Sequence, residues 1–511
     1  MARSSTDEIV GFSDFRILHS KEKNFSAPNL SRNTLSNESK AFLKYNKDSK
    51  NNDEQSKKQR ILADKINNYA PINELRILLL YGASAYEEVT QGLTPLHYAC
   101  FRDYLEAAKL LIARGANINA IDEAGYTPLH LCAEKGHFKL IELLVDNMAK
   151  VCFVDNKDTK ESFPLRDGVD EPLTMAIRRG HYECAKFLLE AGADPNTKYF
   201  DGPEITHVSS TETKFIRLLL TYGANPNCYS RDGLTPLMKA CRLKEKGIKT
   251  IKLLLKYGAN INAEALPKQD NRTALHYAVL SGSYELVNLL IDLGANINMK
   301  KEYDKASPLD LAVLKDDVKL VEIILKAGGD PNLVHTYIGS ALHLACCSDL
   351  KNQVEIIKLL LKYGGNVNLK HTFPEGGIMK TPMVEYFRST DNVNMELVNL
   401  MLSYGGKIIM KSPLSDPRGQ LRNLLKLSLT NPNVYHALCD LGEEYDQLAV
   451  QRLPLTHHLK TNMIYKMKNP KSLQHTCRLM LRNYLAPLNP NKVEQLPIPE
   501  TIKKYVLGIS L

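Results

Sequence analysis

From about Ile61 the chain alternates short apolar stretches with polar turns, and the alternation recurs for roughly 340 residues. Each apolar stretch carries the i, i+3, i+4 spacing of a one-sided helix. Glycine ends these stretches at Gly82, Gly115, Gly192, Gly223, Gly258, Gly294, Gly328, Gly364 and Gly405. The intervals are 33, 77, 31, 35, 36, 34, 36 and 41 residues, so the longest holds two units, with Ala149 at the missing stop. This period predicts about nine units over 61–408, plus a half-unit ending at Gly82 that caps the array. After Gly406 the period fails. Two short helices are expected at 421–429 and 434–441, in a helical capping and linker region, 409–465, that covers the open end. Residues 1–60 are rich in Ser, Asn and Lys, bury little, and are expected to stay flexible. Within them Val10, Phe12, Phe15, Ile17 and Leu18 could form one short docking element.

The chemistry of one unit explains the period. In Gly92-Leu93-Thr94-Pro95-Leu96-His97-Tyr98-Ala99 the threonine is placed to cap a first helix and Pro95 sits at its permissive first turn. A second helix, 106–114, presents Ala107, Leu110 and Leu111 to its neighbours before Gly115 stops it. Asn117-Ile118-Asn119 then leads into a finger. Neither helix can bury its apolar face alone, so units must stack. Sister copies are Gly125-Tyr126-Thr127-Pro128-Leu129-His130, Gly233-Leu234-Thr235-Pro236-Leu237-Met238 and Arg272-Thr273-Ala274-Leu275-His276. The pattern resembles ankyrin repeats, which implies an all-α solenoid of helix-turn-helix units with β-hairpin fingers. Three units depart from it. One reads Glu171-Pro172-Leu173-Thr174 after an insertion at 156–170. Another reads Pro203-Glu204-Ile205-Thr206, with a shortened first helix. The last, Thr381-Pro382-Met383-Val384, follows a long finger through Phe373. Insertions in a solenoid land on a loop face, where partners bind.

The array offers a surface rather than a reaction. His97, His130, His276 and His343 fall one per unit, about a layer apart, too far to share a zinc ion at ~2 Å. They are expected to hydrogen-bond neighbouring turns. The chain has 10 cysteines and no Cys-x-x-Cys; Cys100, Cys132, Cys241 and Cys346 read as buried small hydrophobes. No phosphate-cradling loop, nucleophile elbow or catalytic constellation is present, so no cofactor and no enzyme activity are expected. The net charge of +9 sits at the ends, +4 over 1–60 and +8 over 407–511, leaving the array at −3, which argues against nucleic acid as the target. No apolar run reaches the ~18 residues of a membrane span. Ala2 excludes N-myristoylation. A soluble, cytoplasmic protein is expected. The cluster Lys57-Lys58-Gln59-Arg60 resembles a nuclear import signal, although a solvated charge run is its ordinary reading.

Candidates for contacting a protein target are the aromatic and arginine side chains expected at finger tips and first-helix ends. They are Tyr199, Phe200, Tyr229, Arg231, Tyr303, Tyr337 and Phe373, with Phe101, Arg102 and Tyr104. The same rings could instead stack on adjacent fingers.

The last stretch, 466–511, carries two motifs the array does not need. In Ser472-Leu473-Gln474-His475-Thr476-Cys477-Arg478-Leu479-Met480-Leu481, helical spacing puts Leu473, Cys477, Met480, Leu481 and Tyr484 on one stripe. Fifteen residues past Leu481 comes Leu496-Pro497-Ile498-Pro499, followed by a short helix candidate, 501–507. By periodicity alone the stripe could simply close the solenoid. The pair of motifs after ankyrin-like units resembles the ankyrin repeat and SOCS box family. That resemblance implies that Leu473, Cys477 and Leu481 contact the elongin B–elongin C adaptor, and that Leu496, Pro497, Ile498 and Pro499 favour cullin-5 with its RING subunit. The chain would then be a non-catalytic substrate receptor of a ubiquitin ligase. Its rivals are a plain ankyrin scaffold or inhibitor, and the F-box-tailed viral ankyrin proteins, whose tails lack this combination.

Overall fold

The computed structural model describes residues 54–153, 170–197, 202–298, 306–335, 339–369, 379–390, 392–410, 431–440 and 488–507, with 371, 444–446, 451, 460–461, 464–465, 478, 480–482 and 484–485. Its helices are α1 (Glu54–Asn67), α2 (Ile72–Leu80), α3 (Pro95–Phe101), α4 (Leu105–Ala113), α5 (Pro128–Lys135), α6 (Phe138–Asp146), α7 (Pro172–Arg179) and α8 (Tyr182–Glu190). A 3₁₀ turn, Glu204–Thr206, precedes α9 (Thr213–Thr221). Then come α10 (Pro236–Cys241), α11 (Ile248–Lys256), α12 (Ala274–Ser281), α13 (Tyr284–Asp292), α14 (Pro308–Leu314), α15 (Val318–Lys326), α16 (Ala341–Cys347) and α17 (Gln353–Lys362). The end of the chain adds α18 (Pro382–Ser389), α19 (Met395–Ser403), α20 (Pro432–Asp440), α21 (Pro490–Glu494) and α22 (Glu500–Leu507).

Among the described residues these elements pair into ten layers. First helices stack on first helices and second on second, around one hydrophobic core that runs from Leu62 to Leu438. Cys100, Cys132, Cys241 and Cys346 are buried free thiols within it. The unit expected to have a shortened first helix has only the 3₁₀ turn there.

First-helix caps use the expected residues in a defined way. Thr94 N donates to Nδ1 of His97 at 3.1 Å, and Thr127 N to Nδ1 of His130 at 3.0 Å. Thr273 with His276, and Ser340 with His343, repeat the contact at 3.0 and 3.2 Å. An Nδ1 that accepts carries no proton, so the imidazole proton sits on Nε2. His97 and His343 use it to donate to the next layer, to Tyr126 O at 3.2 Å and Lys380 O at 2.7 Å. Burial keeps the four rings neutral by lowering their pKa from 6.5 to about 4, 3, 3 and 4 respectively. Thus His97 and His343 are joists between layers, as expected, whereas His130 only caps its own helix and leaves Nε2 buried without a hydrogen-bond partner among the described residues. In the α14 unit Asp310 replaces the histidine, and its carboxylate accepts from Ser307 N at 2.8 Å.

Just past the ends of the second helices an asparagine ladder joins the layers. Asn227 donates from Nδ2 to Gly258 O at 3.1 Å and accepts at Oδ1 from Asn260 N at 2.7 Å. Asn196, Asn298 and Asn332 make the same pair of bonds one layer forward. Each side chain therefore satisfies a carbonyl and an amide that a helix end would otherwise leave open. Regular β-hairpins are not what shapes the described finger bases, which show isolated bridges at Thr90–Leu93 and His335–Gly339. The two short strands, Ile409–Met410 and Glu444–Tyr445, pair in parallel beyond the array.

Three expectations need correction or qualification. The boundary at 61 falls inside α1, and the expected half-unit is a complete helix pair. Helix α1 buries Gln59, Leu62, Ala63 and Ile66, enough one-sided surface to fold against α3, so residues 54–60 are ordered helix and not flexible leader. The missing glycine stop is Met148, with φ 66°, one residue before Ala149. Ala149 N instead bonds Leu144 O at 2.9 Å, the post-stop position that Ala116 holds on Leu111. Of the two helices expected after the array, 421–429 lies outside the described residues, whereas α20 matches the second. Its Tyr435 and Leu438 join the array core.

Candidate functional site

The last array helix, α19, ends at Tyr404 and Gly405, the latter with φ 89°. A helix end exposes carbonyls and a partial negative charge. Here both meet an arginine. Arg482, 4% exposed, donates from Nη2 to Leu402 O at 3.1 Å and Gly406 O at 2.8 Å, and from Nη1 to Val506 O at 3.3 Å. Its neighbour one turn back, Arg478, is equally buried and lies over the Tyr505 ring at 5.4 Å. Leu488 seats against Gly405, where a Cβ would stand 3.1 Å from the leucine Cβ. The tail is therefore mounted directly on the final repeat, not carried beyond it by the linker region.

Around that mount the tail has its own small core of Leu488, Val493, Val506 and Leu507, with Leu481, Leu485 and Leu496 against it. Helix α21 starts with Pro490 at its first position and Asn489 as cap, accepting from Asn491 N at 2.9 Å. A tight turn follows, with Ile498 N bonding Leu496 O at 2.8 Å, the two-residue closure of a γ-turn. Pro499 O then starts α22 by accepting from Ile502 N at 2.9 Å and Lys503 N at 3.1 Å. Lys503 Nζ returns to Glu494 O at 2.6 Å and locks α22 to the end of α21.

The expected partner-contacting residues divide accordingly. Leu473 and Cys477 lie outside the described residues. Leu481 is half-buried and leans on the tail's own core. On the side of the helix away from the two arginines, Met480 is 68% and Tyr484 87% exposed. In the turn, Leu496 points into the small core, Ile498 is half-buried, and Pro497 and Pro499 are exposed. Sequence reading missed Arg478 and Arg482. Spaced i, i+4 opposite an apolar stripe, they have the pattern of an ordinary solvated face, and only the docked repeat reveals their use.

The array candidates divide as well. Tyr199, Phe200, Tyr303, Tyr337 and Phe373 lie outside the described residues. Tyr229 is 39% exposed, with its hydroxyl donating to Glu264 O on the next finger at 3.0 Å. Arg231 is exposed, and its carbonyl accepts from Lys268 Nζ. Phe101 lies under Lys135 Nζ at 4.9 Å. The Arg102 guanidinium sits 5.0 Å from the Tyr69 ring, and the Tyr104 ring packs at 5.5 Å from the same ring while its hydroxyl donates to Ala70 O at 2.7 Å. Arg102 and Tyr104 thus tie the second layer to the first, and Phe101 meets the third. Among the described residues no cluster of His, Cys, Asp and Glu could hold a metal ion, and no helix is long and apolar enough to cross a membrane.

Family models place this geometry. The model for ankyrin repeats matches residues 63–158, 125–199 and 206–301, a single ankyrin repeat matches 340–372, and the SOCS box matches 469–507. The chain thus joins ankyrin repeats to a C-terminal SOCS box, the combination for which the ankyrin repeat and SOCS box family is named. Mouse Ankyrin repeat and SOCS box protein 16 is 27% identical over 352 residues, covering 66% of this chain and 73% of that protein. Other relatives share the array. Caenorhabditis elegans Ankyrin repeat and KH domain-containing protein mask-1 is 27% identical over 51% of this chain, and human Rabankyrin-5 is 34% identical over 33%. The chain spans only 10% and 14% of those two proteins. The ankyrin repeat domain of Bcl-3 is similar at 24% identity over 46% of this chain and 99% of that domain, with a TM-score of 0.38. As a SOCS box protein, the chain has Arg482 on the last repeat and Arg478 on Tyr505 along one buried side of the box helix, and Met480 and Tyr484 exposed on the other.

Proposed function

We propose that this SOCS box protein is the substrate-recognition subunit of an elongin B/C–cullin-5 RING ubiquitin ligase, acting in the cytoplasm. The ankyrin array holds a protein target and the box docks the ligase scaffold. The observation that carries the reading is the division of the box helix into two sides. One side is spent within the protein, Arg482 on the last repeat and Arg478 on the Tyr505 ring of the box itself, and the other leaves Met480 and Tyr484 bare. On the helical spacing of the sequence, Leu473 and Cys477 share the sector of Met480 and Tyr484. An apolar stripe of this kind suits the helix-in-groove mode of binding, and each anchored leucine would contribute ~2 kcal/mol. The exposed Pro497 and Pro499 of the rigid turn suit the second contact, to cullin-5. Catalysis in this reading is proximity: ubiquitin transfer occurs on other subunits, and this chain holds the target within reach.

The test is recovery of elongins B and C with the full chain, compared with a Leu473→Ala, Cys477→Phe variant of matched thermal stability. Loss of both elongins is expected. Equal recovery would overturn the assignment and leave a plain ankyrin scaffold.

A further inference from the structure

Among the described residues the first layer has no predecessor, and its two edges treat that lack differently. On the ladder edge α1 supplies the substitute. Gln55 Nε2 donates to Gly82 O at 3.1 Å, the acceptor a preceding asparagine would take, and Gln59 Oε1 accepts from Ser84 N at 3.0 Å. On the second-helix edge the residues keep the pattern of an interior layer. Tyr81 closes α2 as Tyr222 closes α9 and Tyr257 closes α11. In those layers the tyrosine hydroxyl reaches back one layer, Tyr222 to Glu190 and Tyr257 to Thr221, each at 3.2 Å. Ile77 holds the register of Phe187, which packs edge-on against Phe138 of the layer before at 5.6 Å. Yet Tyr81 is 77% and Ile77 50% exposed. Leu80, 72% exposed, stands where later layers have Glu190, Thr221, Lys256, Asp292, Lys326 and Lys362. A terminal layer normally turns a polar outer face to water; this one turns an apolar face.

We propose that residues 9–18 of this chain dock in cis on the face formed by Ile77, Leu80 and Tyr81. The face offers roughly 400 Å², about half of the ~800 Å² per partner that separate proteins bury on stable association, which favours a tethered occupant over a second copy. Tethering supplies an effective concentration in the mM range. The chain reaches α1 at Glu54, and Gln55 already touches Gly82, so what precedes α1 is delivered beside Tyr81. The densest apolar run in residues 1–53 is 9–18, with Ile9, Val10, Phe12, Phe15, Ile17 and Leu18. Thirty-five residues, 19–53, separate that run from α1, more chain than the ~14 Å length of α2 requires. The proposal is independent of the ligase reading.

The test places the photo-crosslinker p-benzoylphenylalanine at position 81 of the full-length protein. Expected is an intramolecular cross-link to a peptide within 9–18, lost in a Phe12→Ser, Phe15→Ser variant. Hydrogen exchange of α2 should rise about tenfold in that variant while α3 and α4 are unchanged. A cross-link to a second copy, to another segment such as 41–45, or none at all would overturn the proposal. So would exchange in α2 that the two serines leave unaltered.

Discussion

Replacing Arg482 with methionine tests the mounting of the box most directly. The guanidinium makes two short charge-assisted bonds, to Leu402 O and Gly406 O, and a longer one to Val506 O. Bonds of this class contribute about 1.5 kcal/mol net each, and a cation at the end of α19 adds about 0.5–1 kcal/mol through the helix dipole. Methionine fills most of the volume and leaves the carbonyls open, so the loss should total about 3–4 kcal/mol, or a factor of 10²–10³ in the docking equilibrium. The array has its own core, and its stability should change far less. Native-state hydrogen exchange separates the two effects. Amides of α21 and α22 should exchange ~100–1,000-fold faster, while those of α3 to α6 keep their protection. Arg482→Lys should lose about half as much, because one ammonium keeps the charge but not the fork. No acceleration in α22, or equal acceleration throughout the array, would refute the reasoning. Elongin recovery should survive both substitutions, since Met480 and Tyr484 lie on the other side.

Four further outcomes are expected. Asn227→Ala removes two bonds between layers and should cost about 2–3 kcal/mol in urea unfolding, with the fastest new exchange at 258–262. Met148→Gly relieves a left-handed φ of 66° and should raise stability by about 0.5–1 kcal/mol; a lower melting temperature would contradict it. The buried His97, His130, His276 and His343 have folded pKa values of about 4, 3, 3 and 4 against 6.5 unfolded, so the unfolded chain binds more protons between these limits. Stability should therefore be full above pH 6.5 and fall as pH drops toward about 4, by at most ~1.4 kcal/mol per pH unit per histidine. A melting temperature that is flat from pH 7 to 5 would refute this. Finally, Pro497→Ala should weaken cullin-5 association while sparing elongin recovery. Leu496→Ala is the poorer probe, because Leu496 belongs to the tail's core and its truncation should loosen α21 and α22 as well.

Local chemistry made much of this molecule readable. A Thr-Pro-Leu-His start, an apolar second helix and a left-handed stop recur because one unit cannot bury its face alone, and that dependence writes the period into the chain. The reading failed where two sequence signals compete. The stop at Met148 was missed because a long side chain seldom adopts positive φ, and α1 was cut short because its polar first turns resemble a leader. Finger tips were legible only as residue types; whether Tyr104 faces a target or Ala70 depends on a partner 34 positions away.

The sequence by itself determined that this is a stacked array with a short paired-motif tail, since periodicity and capping act within one unit and its neighbours. Tertiary structure alone decided what Gln55, Gln59 and Arg482 do. Gln55 and Gln59 complete the ladder at the first described layer, and Arg482 closes a helix 76–80 residues away. The groups they close are backbone carbonyls and amides, which every residue carries, so the side-chain pattern did not mark these roles in advance.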